Sequence, residues 1–418
     1  MRMSFERTPY SSVILRNRLV FTAVNEVPRP LPPNSHWFSI DDKLVYWNFF
    51  LDFGPLNLGH LYRFCAMLNA KLHEFQGKAI FFYSSTHPHQ RTNGAFLIGA
   101  WQMLYLGRTA EEAFSTVECF DLEPFHDATP GKCNFHLDVL DCLRGLGKAR
   151  FYGFFEFDTF DIAEYEYFEA VENGDLNWIV KDKIFAFAGP HDADARQKDH
   201  GYRTLPPEHF VPYFVRKGVT LVVRLNKPYY KASTFTAMGA DFADLYYLDG
   251  SNPPLHILKK FILIAERTPG AFGVHCKAGL GRTGTCIGSY LMKHFKFTAE
   301  EIIGWMRICR PGCVIGQQQH FLKEIEQALW REGDAYRAAR GEPLVSPDIT
   351  THRLHHSPSK ASSPSRVIPF NSRTQAAYQT LAAKLLDLGL DASVVQGSSS
   401  SSSSQGDELR RRRQAGAY

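Results

Sequence analysis

One run of fifteen residues limits the folding choices of this chain more than any other. It reads Ala271-Phe272-Gly273-Val274-His275-Cys276-Lys277-Ala278-Gly279-Leu280-Gly281-Arg282-Thr283-Gly284-Thr285. An apolar, strand-like stretch enters a glycine-loosened loop, and a helix-like stretch leaves it. A strand feeding a helix through a short loop belongs in α/β layers. Backbone N–H groups at such a helix start converge on one spot, and the helix dipole favours negative charge there. The same field lowers the pKa of a cysteine placed in it, and the thiolate is the reactive form. Arg282 offers a planar fork for two phosphate oxygens. Cys276 is therefore the candidate nucleophile, and Lys277, Ala278, Gly279, Leu280, Gly281 and Arg282 form the candidate anion cradle. Gly279, Gly281 and Gly284 also spell G-x-G-x-x-G, a weak dinucleotide fingerprint. That loop usually opens its domain and has no use for a cysteine and an arginine at this spacing. A lone buried cysteine is commonly a small core residue; here the spacing, not the cysteine, is the signal.

The length of 418 residues suggests two or three domains, and 44% apolar content supplies real cores. A net charge of +4 demands no polyanionic partner, so no direct nucleic-acid binding is expected. The eight cysteines are scattered, with no CxxC pair and no zinc spacing. No metal and no cofactor are expected. With no signal peptide visible, a reducing interior fits better than a disulfide framework. No apolar run approaches ~18 residues, so no membrane span is expected.

Strand-like runs lie at 79–83, 184–187, 219–225 and 271–274. Helix-like runs cover 58–72, 95–106, 162–172, 255–266, 285–295, 299–307 and 320–331. Their alternation argues for α/β layers with largely parallel sheets. After about Gly333, serine, proline and arginine take over, with an unbroken serine run at 398–404 and a basic cluster at 410–413. That tail buries too little apolar surface to stay ordered. An internal repeat is also visible. Thr109-Ala110-Glu111-Glu112 and Thr298-Ala299-Glu300-Glu301 each follow an apolar helix. A gapless slide puts His87 on Cys276 and Asn93 on Arg282. The first half then reads as a second strand–loop–helix unit that has lost its nucleophile and clamp. The alternative is two unrelated α/β domains with a chance match.

Phosphate ester cleavage needs positioning and charge stabilisation more than covalent force. Thr283 would donate a hydrogen bond to the departing thiolate. The leaving alkoxide needs a proton, and Asp249, in a turn-rich loop with Gly250, is the best acid. It could instead cap the next helix. Asp241 and Asp244, at the start of a strand, are less suitable. Gln317 or Gln318 would orient the hydrolytic water, although a glutamine run is more often a solvated helix face. Glu166 and Glu169 share one face of a helix, where acids are also commonly just solvated.

His275-Cys276 through Arg282-Thr283 matches the protein tyrosine phosphatase signature, H-C-x5-R-[S/T]. More specifically, residues 12–335 resemble the cell division cycle 14 family of dual-specificity phosphatases. The carriers are residues 52–58 (Asp-Phe-Gly-Pro-Leu-Asn-Leu), 171–180, 275–285 and 307–312. This resemblance implies two tandem dual-specificity-phosphatase-like domains with mostly parallel central sheets flanked by helices. Residues 12–157 would form a non-catalytic domain after a flexible start at 1–11. A linker helix at 158–176 would lead to a catalytic domain at 177–335 and a disordered regulatory tail at 336–418. The resemblance also implies metal-independent hydrolysis of phosphoserine, phosphothreonine and phosphotyrosine through a phosphocysteine. It implies a preference for phosphoserine-proline followed by a basic residue, held by Glu166 and Glu169. Reversal of cyclin-dependent-kinase phosphorylation in mitotic exit, cytokinesis or DNA repair is the implied role. Gln317 stands where the family carries a proline, which blurs which glutamine orients water. The segment 192–200 is longer and more charged than the family's.

Two other functions carry the same signature. A phosphoinositide phosphatase would use extra loop lysines, but Lys277 is matched by Leu280. A phosphoprotein-binding pseudophosphatase would have lost part of the set Cys276, Arg282, Thr283 and Asp249, all of which are present. In the tail, Ser357-Pro358 and Ser363-Pro364 each precede a basic residue, so the enzyme would dephosphorylate its own tail. Leu381, Leu385, Leu388 and Leu390 are spaced like a nuclear export signal, or like a short amphipathic helix. Shuttling between nucleus and cytoplasm is the expectation, with nucleolus, centrosome or spindle as further sites.

Overall fold

The computed structural model describes residues 10–48, 51–129, 133–192, 204–348 and 410–411. Two sheets organise them. The first holds β1 (Ser11–Leu15), β2 (Leu19–Ala23), β3 (Ser35–Phe38) and β4 (Ala79–Ser84), in the order β1-β2-β4-β3. The second holds β5 (Leu176–Val180), β6 (Ile184–Phe187), β7 (Val219–Arg224), β8 (Asp241–Asp244) and β9 (Ala271–His275), in the order β5-β6-β9-β7-β8. Each sheet has one antiparallel edge pair, β1–β2 or β5–β6, and is otherwise parallel. The helices of the first unit are α1 (Leu58–Glu74), α2 (Pro88–Leu106), α3 (Ala110–Phe114) and α4 (Val139–Phe151). A short α5 (Ile162–Glu169) leads into the second unit. There follow α6 (Val211–Arg216), α7 (Ser233–Thr236), α8 (Leu255–Arg267), α9 (Gly281–Phe295), α10 (Ala299–Cys309) and α11 (Gln317–Arg340).

The order β1-β2-β4-β3 repeats as β5-β6-β9-β7, so the internal repeat is a repeat of fold. Thr109 and Thr298 each cap a helix through a reciprocal box with Glu112 and Glu301, which is the physical meaning of the shared tetrapeptide. The register differs from the gapless slide. Strand β4 ends at Ser84, paired with Ala23; β9 ends at His275, paired with Phe187. Aligning the strand ends puts Ser85 on Cys276, Arg91 on Arg282 and Thr92 on Thr283. The first unit therefore keeps S-x5-R-T: the nucleophile is lost but the arginine is not. The slide fails because α2 gained length between the loop and Thr109.

Three boundaries also move. Helix α2 starts at Pro88, not 95, because proline suits a first helical turn. The expected linker helix at 158–176 is three pieces: a 3-10 turn at Phe157–Thr159, then α5, then a 3-10 turn at Val171–Asn173. Helix α11 runs past 335 to Arg340, because Gly333 is a packing position rather than a stop. A Cβ there would lie 1.9 Å from the Lys293 carbonyl of α9, whereas Gly341, at φ 67°, ends the helix.

The two units share one apolar core that runs from Ile14 to Leu329. Helix α4 of the first lies directly on α10 of the second. A Cβ on Gly145 would sit 2.3 Å from the Glu301 carbonyl, and one on Gly304 3.0 Å from the Cys142 Cα. Buried Lys148 crosses this seam to Glu301 at 2.5 Å and the Lys296 carbonyl at 2.9 Å. Among the described residues, no helix is long and apolar enough to cross a membrane, and no group of three or more His, Cys, Asp or Glu could hold a metal ion.

Candidate active site

Strand β9 delivers Cys276, and α9 begins at Gly281. Between them the loop takes a path that only glycine allows at one point. Gly279 has φ 69°, and a Cβ there would lie 2.1 Å from the Phe187 carbonyl. Arg310, fully buried, ties down the back of the loop. Its Nε donates to Gly279 O at 2.8 Å and its Nη2 to Ala278 O at 2.9 Å. Nη1 is anchored on Asp175 O at 2.8 Å and Asn177 Oδ1 at 2.7 Å. With these carbonyls drawn to Arg310, their planar peptide units turn the N–H groups the other way. Arg310 lies in the 307–312 motif, but nothing in its sequence neighbourhood assigns it this role.

Cys276 is only 3% exposed. Burial pushes its thiol up, yet its pKa lies below the ordinary value. The Arg282 guanidinium and Thr283, through side chain and backbone, outweigh both burial and the opposing charge of Asp249. His275, fully buried, is held neutral, near a pKa of about 3, chiefly by desolvation. Its Nδ1 faces the Cys276 carbonyl at 2.9 Å and must donate. Nε2 therefore accepts from the Tyr230 hydroxyl at 2.6 Å. This histidine orders the loop and carries no charge to the thiolate.

Arg282 is buried and held from one side. Nη1 donates to Tyr247 O at 3.0 Å, and Tyr247 OH returns a bond to Arg282 O at 3.0 Å. Nη2 meets Asp249 Oδ1 at 3.0 Å. Its Nε is buried with no acceptor among the described residues. A buried N–H of this kind is costly unless met by an anion's oxygen. Asp249 thus sits beside the clamp, as its place in the loop suggested, and caps no helix: the residue before α8 is Pro254. Asp244 is forked by Arg224, with Nε 2.7 Å from Oδ1, and is committed elsewhere.

Both glutamines reach the acid loop. Gln317 Nε2 donates to Gly250 O at 2.8 Å and Gln318 Nε2 to Ser251 O at 3.0 Å. They differ in depth. Gln318 is buried, and a Cβ on Gly281 would lie 2.6 Å from its Oε1, whereas Gln317 is more open. Glu166 and Glu169 do share a face of α5, half-buried, but they are already engaged. Arg63 forks Glu166 at 2.6 and 2.7 Å, and Asn57 Nδ2 donates to Glu169 at 2.9 Å. The leucines 381–390, the Ser-Pro sites of the tail and most of segment 192–200 lie outside the described residues.

The equivalent loop of the first unit shows what a filled cradle looks like. Ser85 N donates to Asp41 Oδ2 at 2.7 Å, Thr86 N to Asn25 Oδ1 at 3.2 Å, and His87 N to Ser85 Oγ at 3.2 Å. Arg91 points at Thr86 O, 3.1 Å away, and at the Asp121 carbonyl. Three amides of this loop are thus taken by the chain's own acceptors, although Arg91 Nε, like Arg282 Nε, is buried with no acceptor among the described residues.

Two family models match in tandem. "Dual specificity protein phosphatase, N-terminal half" covers residues 13–149, and "Dual specificity phosphatase, catalytic domain" covers 214–328. The chain is 48% identical over 342 residues to the mouse dual specificity protein phosphatase CDC14A, covering 80% of this chain and 56% of that protein. It is 46% identical over 329 residues to the human CDC14C protein, covering 78% of this chain and 73% of that one. The fission yeast tyrosine-protein phosphatase CDC14 homolog is 38% identical over 354 residues, 80% and 65% of the two chains. The chain spans little more than half the length of the mouse and human CDC14A proteins. A relative this similar, matched over nearly three-quarters of its length, settles the kinship: the chain belongs to the CDC14 family of dual-specificity protein phosphatases.

Proposed function

We propose that this protein hydrolyses phosphoserine, phosphothreonine and phosphotyrosine in proteins through a phosphocysteine. The observation that carries the reading is a deeply buried thiol held below its ordinary pKa by Arg282 and Thr283. Cys276 Sγ attacks phosphorus in line, the S–P bond forms and the P–O bond breaks. The departing alkoxide takes a proton from Asp249. Asp249 lies beside the Arg282 fork, with Oδ1 3.0 Å from Nη2, and so next to the place where the ester oxygen departs. In the second step Asp249 takes a proton from water, which attacks phosphorus and releases the thiolate. Gln318 is the better placed of the two glutamines to orient that water, being buried against Gly281. Cys276→Ser is expected to abolish turnover and keep phosphopeptide binding; activity surviving in that variant, or lost to a chelator, overturns the mechanism.

Phosphoserine-proline sites followed by a basic residue are the proposed substrates, in reversal of cyclin-dependent-kinase phosphorylation. Glu166 and Glu169 support this, with the refinement that Arg63 already balances Glu166. Leu280, buried where a second lysine would serve a polyphosphate, favours protein over phosphoinositide substrates. Comparative turnover of a phosphoserine peptide and a soluble phosphoinositide decides between them. The tail is proposed to feed back on this site. Support comes from Arg410, which is 4% exposed, donates to Gly189 O and lies 3.3 Å from His191 Nε2. Gly189 itself abuts the Cys276 carbonyl. Nucleocytoplasmic shuttling through Leu381, Leu385, Leu388 and Leu390 is proposed on the spacing alone; nuclear accumulation of the Leu385→Ala, Leu388→Ala double variant is its test.

A further inference from the structure

The glutamine loop hangs from the first domain as well as the second. Residues 313–316 run into α11, and Gly316, at φ 59°, is the residue before its first turn. From within the second domain, buried Arg307 holds the near side. Its Nε donates to Cys313 O at 3.1 Å, and its Nη2 to Val314 O at 3.0 Å and Gln319 Oε1 at 2.6 Å. From the first domain comes Asp127, itself 4% exposed. Its Oδ2 accepts the Gly316 N–H at 2.5 Å and the Thr129 hydroxyl, and its Oδ1 accepts Cys133 Sγ at 3.4 Å. Thr129, whose hydroxyl is bonded to Asp127, also borders Gly316: a Cβ there would stand 3.3 Å from Thr129 Oγ1. The next two residues are Gln317 and Gln318, bonded to Gly250 and Ser251 beside Asp249.

We propose that the first domain takes part in catalysis through Asp127, a positioning residue that fixes Gly316 and thereby the glutamine that orients the hydrolytic water. Only the second step, hydrolysis of the S–P bond, needs that water; the first needs Cys276, Arg282 and protonated Asp249. A buried carboxylate bonded to a backbone N–H is a strong, directional tether. Its loss frees the loop, and a misplacement of about 1 Å can cost on the order of 100-fold in rate. This inference rests on the proposed role of the glutamines, and the experiment separates the two.

Rapid-mixing kinetics of an aryl phosphate on the full chain reads the first turnover as a burst of aryl alcohol and the second step as the steady rate. Asp127→Ala is expected to leave the burst rate within about twofold and to lower the steady rate about tenfold, so that burst amplitude grows. Asp127→Asn, whose Oδ1 still accepts from Gly316, should stay closer to the parent. Thr129→Val, which removes one bond to the carboxylate and spares the fold, should shift the same ratio in the same direction by less. A proportional fall of both phases, or loss of thermal stability with an unchanged ratio, would make Asp127 a structural residue only and overturn the proposal. Gln317→Ala and Gln318→Ala are run alongside. If neither enlarges the burst, the glutamine reading falls and this proposal with it. If one does while the Asp127 and Thr129 variants do not, the proposal alone falls.

Discussion

Four fully or almost fully buried cysteines share similar apolar surroundings, yet their thiols diverge. Burial pushes Cys65, Cys142 and Cys309 well above the ordinary value, whereas Cys276 lies below it. Among these four, Arg282 and Thr283 act only on Cys276; Cys286, which also feels Arg282 but lacks Thr283, is pushed up to about 12 by burial. Arg282→Lys keeps a charge but loses the planar fork. It is expected to lower kcat/KM on the order of 10²–10³-fold, the usual effect of removing one preorganised donor. Asp249→Asn should slow an alkoxide leaving group on the order of 10²–10⁴-fold and an activated aryl phosphate far less. Equal losses on both would remove Asp249 from the acid role. Histidines make a second residue-scale prediction. Burial lowers His60 and His294 to about 4 and His275 to about 3, against an ordinary 6.5. On acidification below 6.5 the unfolded chain takes up these protons before the folded one does. Asp141, held up to about 6 by burial, opposes them by one proton between 3.8 and 6. Stability should therefore fall as pH drops from 6.5 toward 4, with a slope of about 1.4 kcal/mol per pH unit for each net proton. Denaturation midpoints at pH 7.5 and 5.5 measure it; His294→Gln should flatten the slope, and an already flat parent would refute the assignment.

At the scale of elements, glycines set how closely helices approach. Gly145 lets α4 touch the backbone of α10 across the seam between the two domains. Gly145→Ala has no flexible side chain to displace, only the Glu301 carbonyl. It should destabilise the whole chain by about 1–3 kcal/mol, the range for overpacking a tight interior. A loss seen only in one of two separate unfolding transitions would show that the domains do not share a core. Helix α5 carries the substrate-groove prediction. Reversing Glu166 and Glu169 to Lys should raise KM for basic phosphopeptides and leave small aryl phosphates nearly unchanged. Because Arg63 forks Glu166, Arg63→Gln should lower KM for the same peptides. If peptide KM ignores all three changes, the acids serve only to join α5 to α1.

For the molecule as a whole, one fold is used twice with opposite outcomes. Both loops keep an arginine six residues after the nucleophile position, Arg91 and Arg282. In the first, Asp41, Asn25 and Ser85 take the amides, so the unit is left with its seam and its anchor, Asp127. Arg410 meets the second unit at Gly189 O and His191. If it competes with substrate there, Arg410→Glu in the full chain should lower KM for basic phosphopeptides and leave aryl phosphate turnover nearly unchanged. Identical peptide kinetics would mean that the contact has no regulatory weight.

The sequence by itself determined the candidate catalytic set and most of the elements. The spacing from Cys276 to Arg282, the acid loop at Asp249 and the strands feeding them are local patterns, and strands such as Ile184–Phe187 and Ala271–His275 lie where their apolar runs begin. Strands β1, β2, β3, β5 and β8 are as short as these, but polar residues open or interrupt the apolar run of each, so that pairing with a neighbour rather than a local pattern marks them. Tertiary structure alone decided the register of the repeat, because strand ends, not residue counts, fix which side chain enters a loop. It also decided the partners of Arg310, Asp127 and Arg63. Each meets residues far away in the chain, and a buried charge finds its meaning in what packs around it, which no local spacing records.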